Sequence, residues 1–187
     1  ALFTFGDNHA IKDKVLVLYD CVVADNHANS FGGVYIVSGS NLEMRGCDIR
    51  NNSAVLSGSG GVAIVDSFNL SIASTTFDRN EGERGGALMV QDSYDLHMRG
   101  LKFSSNTAKY GGSVYFQNLI SSQMSLVSSW NNSAAVDGGA LWCSKCELSS
   151  ENTEYTSDSA IAGSGAVMYL SASTVAVRES TFQLNHA

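Results

Sequence analysis

Residues 77–108 decide the fold: Phe77-Asp-Arg-Asn80-Glu-Gly82-Glu-Arg-Gly85-Gly-Ala-Leu-Met-Val90-Gln-Asp-Ser-Tyr-Asp-Leu96-His-Met98-Arg-Gly-Leu101-Lys-Phe103-Ser-Ser-Asn106-Thr-Ala108. The stretch opens and closes on one landmark, an Asn followed two residues later by Ala or Gly. The same landmark stands at Asn8–Ala10, Asn26–Ala28, Asn52–Ala54, Asn132–Ala134 and Asn185–Ala187, and with Asp in place of Asn at Asp158–Ala160. From Asn26 onward the spacings are 26, 28, 26, 26, 26 and 27 residues. A fixed period of this length is the signature of stacked repeats, each of which buries its apolar face only against its neighbours.

Each period holds three short apolar pieces. The first follows a Gly-Gly: Val34-Tyr-Ile-Val37, Val62-Ala-Ile-Val65, Ala87-Leu-Met-Val90, Ser113-Val-Tyr-Phe116, Ala140-Leu-Trp-Cys143 and Ala166-Val-Met-Tyr169. The second alternates apolar and polar residues, as in Leu42-Glu-Met44, Leu70-Ser-Ile72 and Leu96-His-Met98, the period of a strand with one face buried. The third runs to the landmark through Ile49, Phe77, Phe103 and Phe182. Counting back from each landmark, position −10 is Leu or Val except at Ser122, and −8 is aliphatic except at Ser150. Position −3 is apolar or aromatic except at Ser129. Like residues at like positions predict in-register stacking.

These features predict an all-β chain, a right-handed parallel β-helix of about 26 residues and three strands per turn. Helical repeats run longer and show a 3.6-residue period. Leucine-rich repeats match in length but place Asn inside an L-x-x-L-x-L run, whereas here it follows a third strand. Turns about 4.8 Å apart give a rod of about 30 Å. Asn at the landmark suits a left-handed corner and side-chain ladders along the rod. Gly32-Gly33, Gly60-Gly61, Gly85-Gly86, Gly111-Gly112, Gly138-Gly139 and the weaker Ser164-Gly165 mark the opposite corner. Residues 1–187 read as one domain, cut from a longer array because both ends fall mid-pattern. Residues 1–25 read as an irregular first turn, since Asn8 and Asn26 are only 18 apart.

Composition agrees. Proline is absent, where average usage gives about nine, as suits a chain whose backbone is paired on both sides. Net charge is −7, and the 11 Lys and Arg never cluster. A nucleic-acid partner, which needs a basic stripe, is thereby excluded, and anionic membranes are disfavoured. No window reaches the about 18 apolar residues of a membrane helix, so no membrane insertion by this segment is expected.

F-x-x-N stands at Phe5–Asn8, Phe77–Asn80, Phe103–Asn106 and Phe182–Asn185, and G-G-A-L at Gly85–Leu88 and Gly138–Leu141. Gly32-Gly-Val-Tyr35, Gly60-Gly-Val-Ala63 and Gly111-Gly-Ser-Val114 depart from the strict form. The alternating pair resembles the repeats of chlamydial polymorphic outer membrane proteins, which also occur in extracellular algal and protist proteins. The resemblance implies a secreted β-helical passenger acting as a surface adhesin.

Cys21 and Cys47 each stand five residues before a landmark, so they should lie on adjacent turns within disulfide reach; two buried thiols are the alternative. Cys143-Ser-Lys-Cys146 lacks the second ligand pair zinc requires and the α/β setting of a redox motif. A local disulfide closing the corner between first and second strands is the expectation. His9, His27 and His186 follow landmark Asn residues and read as exposed corners. Asn51, Asn69 and Asn131 sit in N-x-[ST] sequons and are glycosylation candidates in a secretory setting.

β-Helices that act on polysaccharides gather carboxylates with Arg, Lys or His on one face. The nearest approach here is Glu43, His97 and Arg99, expected to point outward from one sheet; the best charged column is Arg45, Arg99 and Arg178, interrupted by Ala73, and Arg50 and Arg79 form a small second pair. The first strand is apolar on both faces. With Tyr35, Ala63, Leu88, Val114, Leu141 and Val167 inward, the set Ile36, Ile64, Met89, Tyr115, Trp142 and Met168 would form an exposed interaction stripe. The expected function is therefore non-enzymatic: an extracellular structural or adhesive segment of a cell-surface or filament protein. It would need no cofactor and would assemble with protein partners or itself through the apolar face. Polysaccharide binding or cleavage on the second-strand face is the alternative.

Overall fold

A computed structural model describes residues 15–38 and 40–187. The strands form three parallel sheets of ten, seven and six strands, each strand pairing with the equivalent strand of the next turn. About six turns stack into a β-solenoid. The irregular first turn falls partly on residues 1–14, outside the described residues. From Leu16–Tyr19 and Val22–Ala24 onward the chain already pairs in register with the following turn.

The three sheets differ in one respect from the three apolar pieces. In the middle turns the first and second pieces fuse into one long strand, as in Leu88–Arg99, Val114–Ser125 and Leu141–Glu151. The third piece forms the second sheet (Asp48–Arg50, Thr76–Asp78, Lys102–Ser104, Ser128–Trp130). The third sheet comes from short strands after the landmark, such as Glu81–Arg84, Thr107–Tyr110 and Ser133–Asp137. Their inward residues are the small ones of the motif: Ala54, Ala108, Ala134 and Ala160 are buried.

Small residues are needed there because the Gly-Gly corner passes at backbone contact. A Cβ on Gly112 would meet Ser133 N and C at 2.7 Å and also fall on the Gly139 carbonyl oxygen. The preceding residue, Gly111, is left-handed with φ +63°, a conformation that favours glycine.

The interior holds continuous columns. Leu42, Leu70 and Leu96 form one, up to Ser122, and Met44, Ile72, Met98 and Met124 another, up to Ser150. Burying each such side chain stabilises the fold by about 1.5–3 kcal/mol relative to exposure. Phe77 and Phe103 stack at 5.0 Å, and in the last turn the exposed Phe182 stacks on the buried Tyr155 at 5.1 Å. Ser129 interrupts this aromatic column and leaves a cavity of about 10 Å³ against Phe103, Val127 and Tyr155.

The landmark residues lie inside the rod. Asn52, Asn80, Asn106, Asn132 and Asp158 are fully buried. Each Asn Nδ2 donates to the next landmark's Oδ1: Asn26 to Asn52 (2.8 Å), Asn52 to Asn80 (3.0 Å), Asn80 to Asn106 (3.1 Å), Asn106 to Asn132 (3.0 Å) and Asn132 to Asp158 (2.9 Å). The same acceptor oxygen takes the main-chain N–H of the landmark before it, as Asn106 Oδ1 does for Asn80 at 2.9 Å. The ladder expectation holds, but the left-handed geometry falls one residue earlier. Asp25, Asn51, Arg79, Ser105, Asn131, Ser157 and Leu184 carry φ of +50° to +58°. The corner thus turns at a residue of almost any type, and Asn is required for its amide.

Candidate functional site

The first strand needs a correction. Its register pairs Val34, Val62, Leu88, Val114, Leu141 and Met168 in one inward column. Ile36, Ile64, Val90, Phe116 and Cys143 form a second inward column. Ile36 and Ile64, expected outside, are therefore core residues, and Met168 packs half-buried against the core. Tyr35 and Ala63, expected inside, face outward with Met89, Tyr115, Trp142 and Tyr169. The cause is the Gly-Gly corner. Gly33 and Gly61 align with Ala87, and Gly139 lies against Ala166, so the glycine pairs are not in one register. A one-residue slip turns every side chain to the other face.

The outward column is an aromatic stack outside the rod. Tyr115 and Trp142 lie 4.4 Å apart and within 3° of parallel, and Tyr169 continues the stack 5.9 Å from Trp142. Phe31 stacks on Tyr35 at 4.0 Å. The face is less open than a bare stripe. Met89 is only 3% and Tyr115 5% exposed, because Phe31, Tyr35, Val65, Tyr110 and Trp142 pack around them as a second, outer cluster. Arg84 sits 5.8 Å from the Tyr115 ring centroid, and Tyr115 Oη donates to Gln117 Oε1 at 3.0 Å. Burial pushes the Tyr115 hydroxyl up, tempered by the Arg84 charge. Trp142 and Tyr169 remain half-buried.

Sequence reading missed a second outer stack. Phe68 and Tyr94 lie 5.2 Å apart, with Ile120 next in register; Tyr94 and Ile120 are about half exposed. Strict alternation puts these residues on the side of Leu70 and Leu96. The left-handed Asn69, Asp95 and Ser121 between them reverse the side.

The polar face of the second strand holds Glu43, Ser71, His97, Gln123 and Ser149 in one column, and Arg45, Ala73, Arg99, Ser125, Glu151 and Arg178 in the next. Glu43 and His97 are separated by the turn carrying Ser71. His97 Nε2 meets Asp95 Oδ1 at 3.0 Å. Two shallow clefts of about 400 and 410 Å³ share Gln123 and Ser149, one reaching Arg99 and Glu151, the other Asp95, His97 and Glu147. Arg50 and Arg79 each bind their own acid, Asp48 and Asp78. Among the described residues no group of three His, Cys, Asp or Glu could hold a metal. His27 and His186 are exposed at opposite ends, and His9 lies outside the described residues.

Cys143 and Cys146 form a disulfide with Cα atoms 6.1 Å apart, within the ordinary range. Because the first and second pieces are fused here, it lies within the strand Leu141–Glu151, across the left-handed Lys145, rather than closing a corner between two strands, and both its residues are buried. The expected Cys21–Cys47 bridge is absent: both are free thiols. Their hydrogens go to main-chain carbonyls, Cys47 Sγ to Leu18 O at 3.3 Å and Cys21 Sγ to Tyr19 O at 3.2 Å. Burial pushes the Cys47 thiol up. Asn51, Asn69 and Asn131 are all exposed at left-handed corners, with φ +52°, +53° and +55°.

A family model for the right-handed β-helix region matches residues 6–187. No curated protein and no solved structure matches the chain. With parallel turns, in-register columns and a match over nearly its whole length, the chain belongs to the right-handed β-helix family.

Proposed function

We propose that this β-helix is a non-enzymatic structural or adhesive segment of an extracellular surface or filament protein, and that it assembles with protein partners through the outer face of its first sheet. The observation that carries the reading is the aromatic stack Tyr115–Trp142–Tyr169 outside the rod. Large apolar rings clustered at a surface mark interaction sites, and Trp and Tyr dominate interface energetics. Tyr115 is buried beneath the stack, and Trp142 is stacked on both faces, so the exposed edges of Trp142 and Tyr169 are what a partner meets. That geometry suits packing against protein better than stacking on a sugar ring. A disulfide between Cys143 and Cys146 supports an oxidising, extracellular setting. The adhesin role implied by the F-x-x-N and G-G-A-L motifs points the same way.

Polysaccharide binding is the second reading, favoured by the two adjoining polar clefts between Arg99 and Glu147. Two variants separate the readings. Trp142→Ser should abolish self-association or partner binding in sedimentation or surface-binding assays while the circular dichroism spectrum stays unchanged. Arg99→Ala should leave assembly intact. Assembly unaffected by Trp142→Ser, together with glycan binding or turnover lost in Arg99→Ala, would replace the first reading with the second.

A further inference from the structure

Two exceptions in the repeat meet in space. Ser129 replaces the apolar residue at position −3, and Asp158 replaces the landmark Asn of the next turn. Ser129 Oγ donates to Asp158 Oδ2 at 3.0 Å. Asp158 Oδ1 accepts both the main-chain N–H and the Nδ2 of Asn132, each at 2.9 Å, as an Asn Oδ1 would. On the other side the Asp158 main-chain N–H reaches Asn185 Oδ1 at 2.8 Å. The second half of the link is missing. In regular turns an Nδ2 at this place also donates to the following landmark's Oδ1. Here the atom is an oxygen, which donates only when it carries a proton.

The groups facing Asp158 do not neutralise it. Asn132 and Ser129 come from the preceding turn and Asn185 from the following one. Tyr155, three residues earlier, is the titratable neighbour; its hydroxyl is pushed up to about 12 by full burial, so it stays neutral. Ser150 and Thr153, near that hydroxyl, bond to each other at 3.2 Å. Glu154, on the strand before Asp158, and His186, bridged to Ser159, are exposed. Among the described residues no ion pair includes Asp158.

We propose that Asp158 is a protonation-controlled joint between the last turn and the rest of the rod. With a solvent proton bound to Oδ2, the new O–H donates as the Asn Nδ2 does in the other turns, and the ladder runs unbroken to Asn185. Without it, two acceptor oxygens face each other and the last turn, held also by Ala160 N to His186 O at 2.9 Å, opens more readily.

Burial pushes the Asp158 carboxyl above the ordinary carboxylate range, against the pull of the Asn132 and Ser129 bonds. A carboxyl raised in the folded state gives its full contribution below the unfolded value, about 3.9, and loses it as pH rises through the folded value. Acidification therefore tightens the joint, and loss of the Asp158 proton as the pH rises loosens it.

The test follows the Asp158 carboxyl by carbon-13 NMR alongside hydrogen exchange of the Ala160 and His186 amides, corrected for intrinsic rates. As the carboxyl loses its proton, opening of these amides should rise several-fold in the wild type and stay flat in Asp158→Asn. Curves of equal slope in the two proteins would overturn the proposal. Ser129→Ala, which keeps the carboxyl but removes a donor to its ionised form, should move the Asp158 midpoint upward; an unmoved midpoint would also overturn it.

Discussion

Asn106→Ala is expected to destabilise the fold by about 4 kcal/mol, measured as a lowered urea midpoint with unchanged slope. Asn106 is fully buried at the centre of the ladder. Its Oδ1 accepts from Asn80 N (2.9 Å) and Asn80 Nδ2 (3.1 Å), and its Nδ2 donates to Phe77 O (3.0 Å) and Asn132 Oδ1 (3.0 Å). Ala removes all four bonds and strands the main-chain amide of Asn80 away from water. A buried group left without its partner costs about 1–3 kcal/mol, far more than the net value of a made bond. Asn26→Ala, at the half-buried start of the ladder, should cost about 1 kcal/mol, because water reaches the groups it leaves. Equal, small effects at both positions would show that the ladder does not hold the turns together.

Gly112→Val is expected to cost about 3 kcal/mol or to prevent folding. Any Cβ there meets backbone on two sides, the Gly139 carbonyl of the next turn and Ser133 of the third sheet. Neither can move aside as a flexible side chain could, and interiors packed to crystal density do not absorb such a shift. The strain would spread along the rod, since Gly86 and Gly139 occupy the same crossing in neighbouring turns. A control is Gly100→Ala. It sits at a left-handed corner, φ +65°, but its Cβ would meet only Ser74 atoms at 3.9 Å. That substitution should cost about 1 kcal/mol, the backbone penalty alone.

The contrast between these sites explains what the sequence made legible. Columns counted back from the landmark were placed well, because Leu42, Leu70 and Leu96, or Phe77 and Phe103, repeat one chemical type at one offset. The first strand was not, because its anchor is a corner rather than a column. Glycine serves there for two different reasons, left-handed backbone at Gly85, Gly111, Gly138 and Gly165, and close approach at Gly32, Gly60, Gly86, Gly112 and Gly139. A glycine pair does not say which reason applies. Aligning the pairs therefore slipped Ile36, Ile64 and Met168 by one residue and reversed their side. The short third sheet was missed because Ser53-Ala54 or Thr107-Ala108 carry no apolar signal; they pair only because the backbone on either turn does. The meeting of Ser129 with Asp158 lay in the sequence as two separate exceptions, 29 residues apart, and only the stacking brings them into contact.

The central claim is that the landmark Asn residues are an internal hydrogen-bonded ladder. The direct measurement is hydrogen exchange of Asn side-chain amides by NMR. Asn51 and Asn131 are the internal controls, since each precedes a landmark in sequence yet is exposed at the corner. The account predicts that the side-chain amides of Asn52, Asn80, Asn106 and Asn132 exchange as slowly as the backbone amides of the core strands, while those of Asn51 and Asn131, whose bonds to Asp25 and Ser105 are exposed to water, exchange far faster. Fast exchange at all six would contradict it.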